Sequence, residues 1–530
     1  IIMATPSLAM IPSAYADSKV YSVLPNNGDG DFTFNRDSSA TRVGSNGLIQ
    51  EVGFFSSEKV INGDFATDSD WIKGTGWTIS GGKANSDGSQ TAYSTIKQNG
   101  AAPINTNYKL VFTATITSGN ILPSVGGSNG QGQISESGTY IFYTIASSGD
   151  DGLYFGASSD FVGSIDNVSL KEVLGDQPRL NYDINANGQV QSCPSLLLEP
   201  ASTNLITYSE DFSNSAWTKT GSTVSSNQAI SPDGTLSADK LVENTTLAQH
   251  RINFTTTSSA GSNTFSVFAK KGEREFIWLR VGSSSGYFNL NNGFSQGNSD
   301  TIASSINYGN GWYKCIINKP NTATNEICRI NITKTFGGSD YLGNGTSGLY
   351  IWGAQYEQNL SYATSLIPTN GASQTRAAET CFGAGTASTF NSTEGVLYAE
   401  ISAFEGSDDT FAISLNDGSS SNRIFLSLQT PESRYRAYST GGGDVTFEGL
   451  DVTSLSKVAV RYSLNNFSLW VNGVKRVETL TYAGIPSNTL NNLSFDRNGI
   501  GELDYYGNVK DIRVYNEALT DLQLQNLTTL

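Results

Sequence analysis

The sequence predicts an all-β protein made of several antiparallel β-sandwiches. Three observations carry that expectation. Apolar and polar residues alternate in short runs along most of the chain, which is the period of a half-buried strand. Turn dipeptides separate the runs: Asn27-Gly28, Asp29-Gly30, Asn46-Gly47, Asp233-Gly234, Asp417-Gly418 and Asn472-Gly473. Such pairs reach positive φ cheaply and suit tight hairpins. Helical periodicity is nearly absent before the last few residues. A length of 530 residues corresponds to roughly three or four domains.

Composition narrows the functions. Acidic residues outnumber basic ones, 48 to 32, for a net charge of −16. That argues against a nucleic-acid partner, which asks for a basic face. Only 15% of residues are charged and 11% are aromatic, so the chain is not of the disordered type. No apolar run has the length of a membrane span. A single histidine, His250, leaves no material for chemistry that leans on several imidazoles. It is read as a surface or edge-strand residue.

The elements follow in order. Residues 1–57 form an N-terminal module, continued by residues 174–203. Ala14-Tyr15-Ala16 before Asp17 mimics a signal cleavage site, but the stretch before it has no positive charge and carries Pro6 and Pro12. A structured arm is the expected reading. An internal repeat then appears: NGDFATDSDWIKGTGW from Asn62 and SEDFSNSAWTKTGS from Ser209 share Asp-Phe, a Trp (Trp71, Trp217) and a Lys-x-Thr-Gly or close variant. Each opens a stretch of strand-like sequence. Two jelly-roll sandwiches are expected, over 58–173 and 204–372, with Trp71, Trp77, Trp278, Trp312 and Trp352 read as core. Cys315 and Cys328 would face each other if their strands folded about Asn321-Thr322, as two buried thiols or a cross-strand disulfide. A linker over 373–384 precedes a third sandwich, 385–530. Its clearest hairpin turns at Asn472-Gly473. A short terminal helix is expected, capped by Asn516, with Leu519, Leu522 and Leu524 on its apolar face.

Several runs resemble known families. Asn-Gly-Asp-Phe…Trp and Asp-Asn-Val-Ser-Leu (residues 166–170) are similar to jelly-roll carbohydrate-binding modules. Residues 457–478 and 507–527 resemble concanavalin A-like, laminin-G-like lectin domains. Residues 11–52, 178–217 and 353–379 resemble segments of virion fibre and tail-associated proteins of tailed bacteriophages. In such relatives the first two segments run together, so the first jelly roll is read as an insertion into one discontinuous module. The resemblance implies a structural fibre or spike of a phage virion, assembled in the host bacterial cytoplasm. It implies a homotrimer anchored to other virion proteins through the N-terminal module, with host surface polysaccharide as the outer partner. Carbohydrate-binding modules of this kind often hold calcium near their first and last strands, where Asp64 and Asp166 stand. Ala66 replaces the usual acid after Asp-Phe, so neither a metal nor any other cofactor is expected.

Candidate sugar contacts are loop aromatics beside polar residues, because sugar sites combine an aromatic face with hydroxyl-binding side chains. They are Tyr505 and Tyr506, Asp496 and Arg497, and Tyr435 and Tyr438. An enzyme is not expected. Glu502-Leu503-Asp504 lacks the third carboxylate of concanavalin-like glycosidases, and no G-x-S-x-G elbow occurs. A polysaccharide-degrading enzyme and a secreted bacterial adhesin are the alternatives.

Overall fold

The computed structural model describes residues 4–128, 132–147, 150–298, 301–404, 410–430, 432–499, 501 and 503–530. These residues form a chain of antiparallel sheets, with one α-helix among them, Asp521–Thr528. Glu502 lies outside the described residues.

The first sandwich packs the sheet around Asn107–Ser118, Val162–Gly175 and Gly138–Ile145 against the sheet of Ile121–Val125, Leu153–Ala157 and Ser94–Gln98. Alternation selects the inward residues: Trp77 and Ile79 of Trp77–Ser80 are buried while Thr78 and Ser80 face out. The ends of the insertion meet, since Phe55 pairs with Val173 and Ser56 N–H donates to the Glu172 carbonyl at 2.9 Å. Adjacent ends let a domain bud from a host without opening it.

The second sandwich repeats the opening of the first. The Trp71 indole N–H donates to the Asn62 carbonyl at 3.1 Å, and the Trp217 indole N–H to the Tyr208 carbonyl at 2.9 Å. Phe65 packs on Trp71 at 5.1 Å and Phe212 on Trp217 at 5.0 Å. One sheet orders Thr218–Thr220, His250–Thr255, Ile327–Thr333, Phe276–Val281, Ser284–Asn289 and Ser295–Gly297. The other is built on Leu236–Glu243, Gly348–Gln358, Gly261–Lys271 and Trp312–Thr322. The expected hairpin between Cys315 and Cys328 does not form. Cys315 lies opposite Val267 in one sheet and Cys328 opposite Phe254 in the other, so the chain crosses the sandwich between them. Both thiols are free and buried. His250 is corrected too: it is fully buried between paired strands, with both ring nitrogens against the Gly221 and Tyr341 carbonyls.

The third sandwich stacks Arg423–Gln429, Arg434–Ser439 and Gly443–Glu448, with Thr410–Asn416, on a sheet of Gly395–Ala403, Ser456–Ser463, Asn466–Val471 and Gly507–Tyr515. Asn472 and Gly473 both have positive φ at the expected hairpin. The terminal helix starts later than expected. Thr520, not Asn516, is the N-cap, and a reciprocal bond with Gln523 makes a capping box. Leu524 and Leu527 are buried, whereas Leu522 is exposed.

The N-terminal segments are part of this third sandwich. Leu8–Met10 pairs with residues 512–514, and Ser195–Leu198 pairs with residues 507–509, on one edge of Gly507–Tyr515. Leu8, Met10, Phe32, Phe34, Leu196 and Leu198 share its apolar core. The linker expected at 373–384 carries paired strands: Gln374–Arg376 with Ser202–Asn204, and Thr380–Phe382 with Phe32–Asn35.

A buried ion network ties these segments together. Glu379 accepts from Arg36 at 2.9 Å and from Arg179 at 2.8 Å. Glu199 accepts from Arg179 at 2.7 Å and from Ser365, and pairs with Arg376 at 2.9 Å. Burial raises the Glu199 carboxyl, but Arg376, Arg179 and Ser365 outweigh it and hold it down at about 2. Arg36 comes from residues 11–52, Arg179 and Glu199 from 178–217, and Arg376 and Glu379 from 353–379. The three segments with the fibre-like resemblance therefore meet at one buried cluster.

Candidate functional site

The outer face of a sandwich sheet is where alternate residues escape the core. In the second sandwich those positions carry an unusual set. Arg251-Ile252-Asn253 and Arg329-Ile330-Asn331 are the same tripeptide on two adjacent antiparallel strands, so Arg251 stands opposite Asn331 and Asn253 opposite Arg329. The isoleucines point into the core and the Arg and Asn side chains outward. On the next strand Trp278 sits opposite Asn331 and Arg280 opposite Arg329. Tyr287 follows beside Trp278. Two rows of side chains thus cross the strands: Arg251, Asn331, Trp278, Tyr287, and Asn253, Arg329, Arg280, Ser285. At the usual strand spacing each row spans about 14 Å.

The Trp278 and Tyr287 rings stack at 5.1 Å with an interplanar angle of 7°. Arg280 lies over the Trp278 ring at 4.7 Å. Phe336 packs against Phe276, Tyr287 and Phe294 at one side. Trp278, read from sequence as core, is buried by this outward stack instead; its side chain belongs to the opposite face from the core.

Polar groups on this face lack partners within the protein. The Arg251 Nε, Asn253 Oδ1, Trp278 Nε1, Arg280 Nε, Asn331 Oδ1 and Thr333 Oγ1 atoms are all buried and accept or donate no hydrogen bond. Six such atoms share this face, although buried polar groups are normally satisfied. Trp278 is nearly buried beneath Tyr287 and Arg280, so this face presents the half-buried Tyr287 ring edged by the half-buried Arg251, Arg280 and Arg329, an aromatic surface with polar neighbours of the kind that holds a sugar ring.

The sequence-predicted candidates lie on the third sandwich, and the structure separates them. Tyr435 and Tyr505 are corrected: both are fully buried, with hydroxyls bonded to Ser456 at 2.9 Å and to the Ser402 carbonyl at 2.7 Å. Each faces inward, so neither can meet a ligand. Asp496 is buried and accepts from the Asn498 and Gly501 backbone N–H groups at 3.0 and 2.9 Å, which shapes its loop. Arg497 is half-buried in the same loop. Tyr506 is half-buried, packed edge-on against Phe411, with its hydroxyl donating to Asp504 at 3.3 Å.

Tyr438 does face outward. It stacks on Phe425 at 5.1 Å, with Arg423 and Arg436 close to both rings. Beside it is a shallow recess of about 660 Å³ lined by Gln429, Arg434, Arg436, Asp444, Thr446 and Glu448. Its charges are matched: Arg434 bonds Glu448 at 2.7 Å and Arg436 grips Asp444 twice at 2.9 Å. This face is polar and aromatic, yet self-satisfied.

Among the described residues no group of three or more His, Cys, Asp or Glu side chains is placed to hold a metal. Asp64 and Asp166 each accept a local backbone N–H. Among the described residues no helix is long and apolar enough to cross a membrane.

No protein-family model matches the chain, and no curated protein matches it. Among solved structures, it is similar to the CBM40 of the Ruminococcus gnavus IT-sialidase bound to α2,3-sialyllactose, at 15% identity over 26% of this chain and 83% of that one, with a TM-score of 0.22. The tandem CBM22 domains of Paenibacillus barcinonensis Xyn10C share 11% identity over 58% of this chain and 98% of that one, TM-score 0.20. Domains LG4-5 of the mouse laminin α1 chain share 9% over 65% and 96%, TM-score 0.19. Likenesses this faint assign no ligand and no role to any residue here.

The second-sandwich face was missed in the sequence for a definite reason. Trp278 has apolar neighbours on both sides, Ile277 and Leu279, which mark it as core. The signal that could have found it is the repeated Arg-Ile-Asn, whose alternation places two charges and two amides on one face.

Proposed function

We propose that the chain is a non-catalytic glycan-binding adhesin of a tailed-phage virion. The observation that carries the binding reading is the half-buried Tyr287 ring, held flat on Trp278 and edged by Arg251, Arg280 and Arg329. The recess beside Tyr438 offers a second, weaker contact on the third sandwich. A shallow site binds poorly alone, and several linked copies gain through effective concentration. The virion reading, as a head or tail fibre or spike and a homotrimer, rests on the resemblance of residues 11–52, 178–217 and 353–379. Those segments make the buried network and the edge strands, so the anchor and the third sandwich would act as one rigid base from which the other two sandwiches project.

The test is a glycan array with the full chain, alongside Tyr287→Ala and Trp278→Ala. Binding that falls by tenfold or more in both variants supports the reading. Binding unchanged in both, with the fold intact by circular dichroism, overturns it for this face. Imaging the intact particle tests the virion reading, and a protein absent from the particle refutes it. Release of reducing sugar from host polysaccharide, lost in Glu502→Gln, would establish the enzyme alternative in its place.

A further inference from the structure

The second-sandwich face carries three arginines and no acid of its own. Arg280 and Arg329 stand directly opposite each other on neighbouring strands, and Arg251 lies one row away. Like charges in that arrangement destabilise a sheet. Among the described residues none of the three forms an ion pair. The nearest acids, Asp340 and Glu326, attract Arg251 and Arg329 without forming an ion pair with them. Glu326 is engaged by Lys319 at 2.7 Å, and Asp340 is exposed on the loop after the strand. Arg251 donates to Gln249, Arg329 to the Gly282 carbonyl at 3.2 Å, and Arg280 rests only on the Trp278 ring. Burial, then mutual repulsion, pulls the pKa of Arg251 and Arg280 below the usual guanidinium value, with Asp340 offsetting part of the effect on Arg251. All this occurs in a chain of net charge −16, where the arginines of the third-sandwich recess are each matched to a carboxylate.

Resting on the glycan-binding reading above, we propose that the ligand of this face is an acidic polysaccharide, with carboxylate or sulfate groups on its sugar units. The planar guanidinium groups present paired N–H donors suited to oxyanions. Tyr287, half-buried and held flat on Trp278, takes the ring face. The anion cancels the repulsion that the unliganded face sustains, so binding strength and apo stability are set against each other.

The experiment measures affinity of the full chain for hyaluronan and dextran sulfate against uncharged dextran, across a salt series. The expected result is acidic polymers bound at least tenfold more tightly, with affinity falling as salt rises. Arg280→Gln and Arg329→Gln should each lose about tenfold for the acidic polymers. Either variant should also raise Tm by about 1–2 °C, because it relieves like-charge repulsion. A merely structural arginine would lower Tm. Arg280→Lys keeps the charge and should retain the salt dependence while losing part of the affinity. Equal, salt-insensitive binding of uncharged dextran would overturn the acidic ligand and leave the glycan reading standing. Acidic binding unaffected in both Gln variants would overturn the site. No binding of any polymer, acidic or neutral, would sink the glycan reading itself, and this inference with it.

Discussion

Replacing Glu379 by Gln tests whether the buried network holds the N-terminal segments to the third sandwich. The carboxylate is fully buried. One oxygen accepts from Arg36 and Arg179, and the other accepts from the Glu199 backbone N–H at 2.9 Å and again from Arg179. Three buried arginines, Arg36, Arg179 and Arg376, face two glutamates, and Asp176 caps the Arg36 backbone at 2.6 Å to complete the balance. The Gln side chain keeps the shape, removes the charge and points an amide N–H₂ at donors. Breaking one partner of a buried ion pair costs about 3–5 kcal/mol. A domain has about 5–15 kcal/mol in all. The chain has several sandwiches, so a single unfolding midpoint would mix them. Thiol labelling under native conditions resolves them, because Cys381 reports on the network's own strands and Cys315 on the second-sandwich core. At about 1.4 kcal/mol per tenfold, Cys381 should label between about a hundred- and a few thousand-fold faster in Glu379→Gln. Cys315 should change by less than about fivefold. A Cys381 rate within about fivefold of wild type would refute the reasoning and leave the network energetically idle.

Two further predictions follow from the same physics. Burial, then Asp233, raises Glu210 to about 7, and burial raises Asp239 to about 6 against the pull of the Asn227 and Phe212 N–H groups. The folded state therefore holds more protons than the unfolded one between about pH 4.5 and 7, and stability should rise on acidification through that window. Below about pH 4.5 the sign reverses, because Glu199 is held at about 2 in the fold and its protonation there costs stability. Tm read from about pH 8 to pH 3 should pass through a maximum near pH 4.5–5; a profile that rises steadily to neutrality contradicts this assignment. Separately, Trp71→Phe and Trp217→Phe should each cost about 2–4 kcal/mol in their own sandwich, from a lost hydrogen bond plus an unfilled volume. Denaturant titrations should give similar penalties, and a near-neutral result at one site only would mean the repeated motif is not used equivalently.

Much of the fold could be read along the chain. Alternation in runs such as Trp77–Ser80 and turns such as Asn472-Gly473 are local, and local rules suffice for them. The repeat around Trp71 and Trp217 was visible because the same indole-to-carbonyl bond needs the same spacing each time. The candidate site was less legible. Tyr435, Tyr438 and Tyr505 look alike beside polar neighbours, yet strand parity sends Tyr435 inward and Tyr438 outward, and Tyr505, in the loop before Gly507–Tyr515, turns inward to bond the Ser402 carbonyl. Pairing one residue out of register would exchange the faces. The helix cap moved from Asn516 to Thr520 because Asn516 is occupied across the sheet, accepting from Ser7 and from the Asn391 N–H.

The sequence by itself determined that this chain is all-β, acidic, built from repeated sandwiches and poor in reactive side chains, since composition and period-two patterning act within a few residues. Only the tertiary structure decided what those sandwiches share and offer. Leu8–Met10 and Gly507–Tyr515 are adjacent because an open edge of buried strand needs partners for its backbone groups, wherever in the chain they come from. Arg251, Arg280 and Arg329 become one charged face for the same reason: strand pairing, not sequence distance, sets which outward side chains are neighbours.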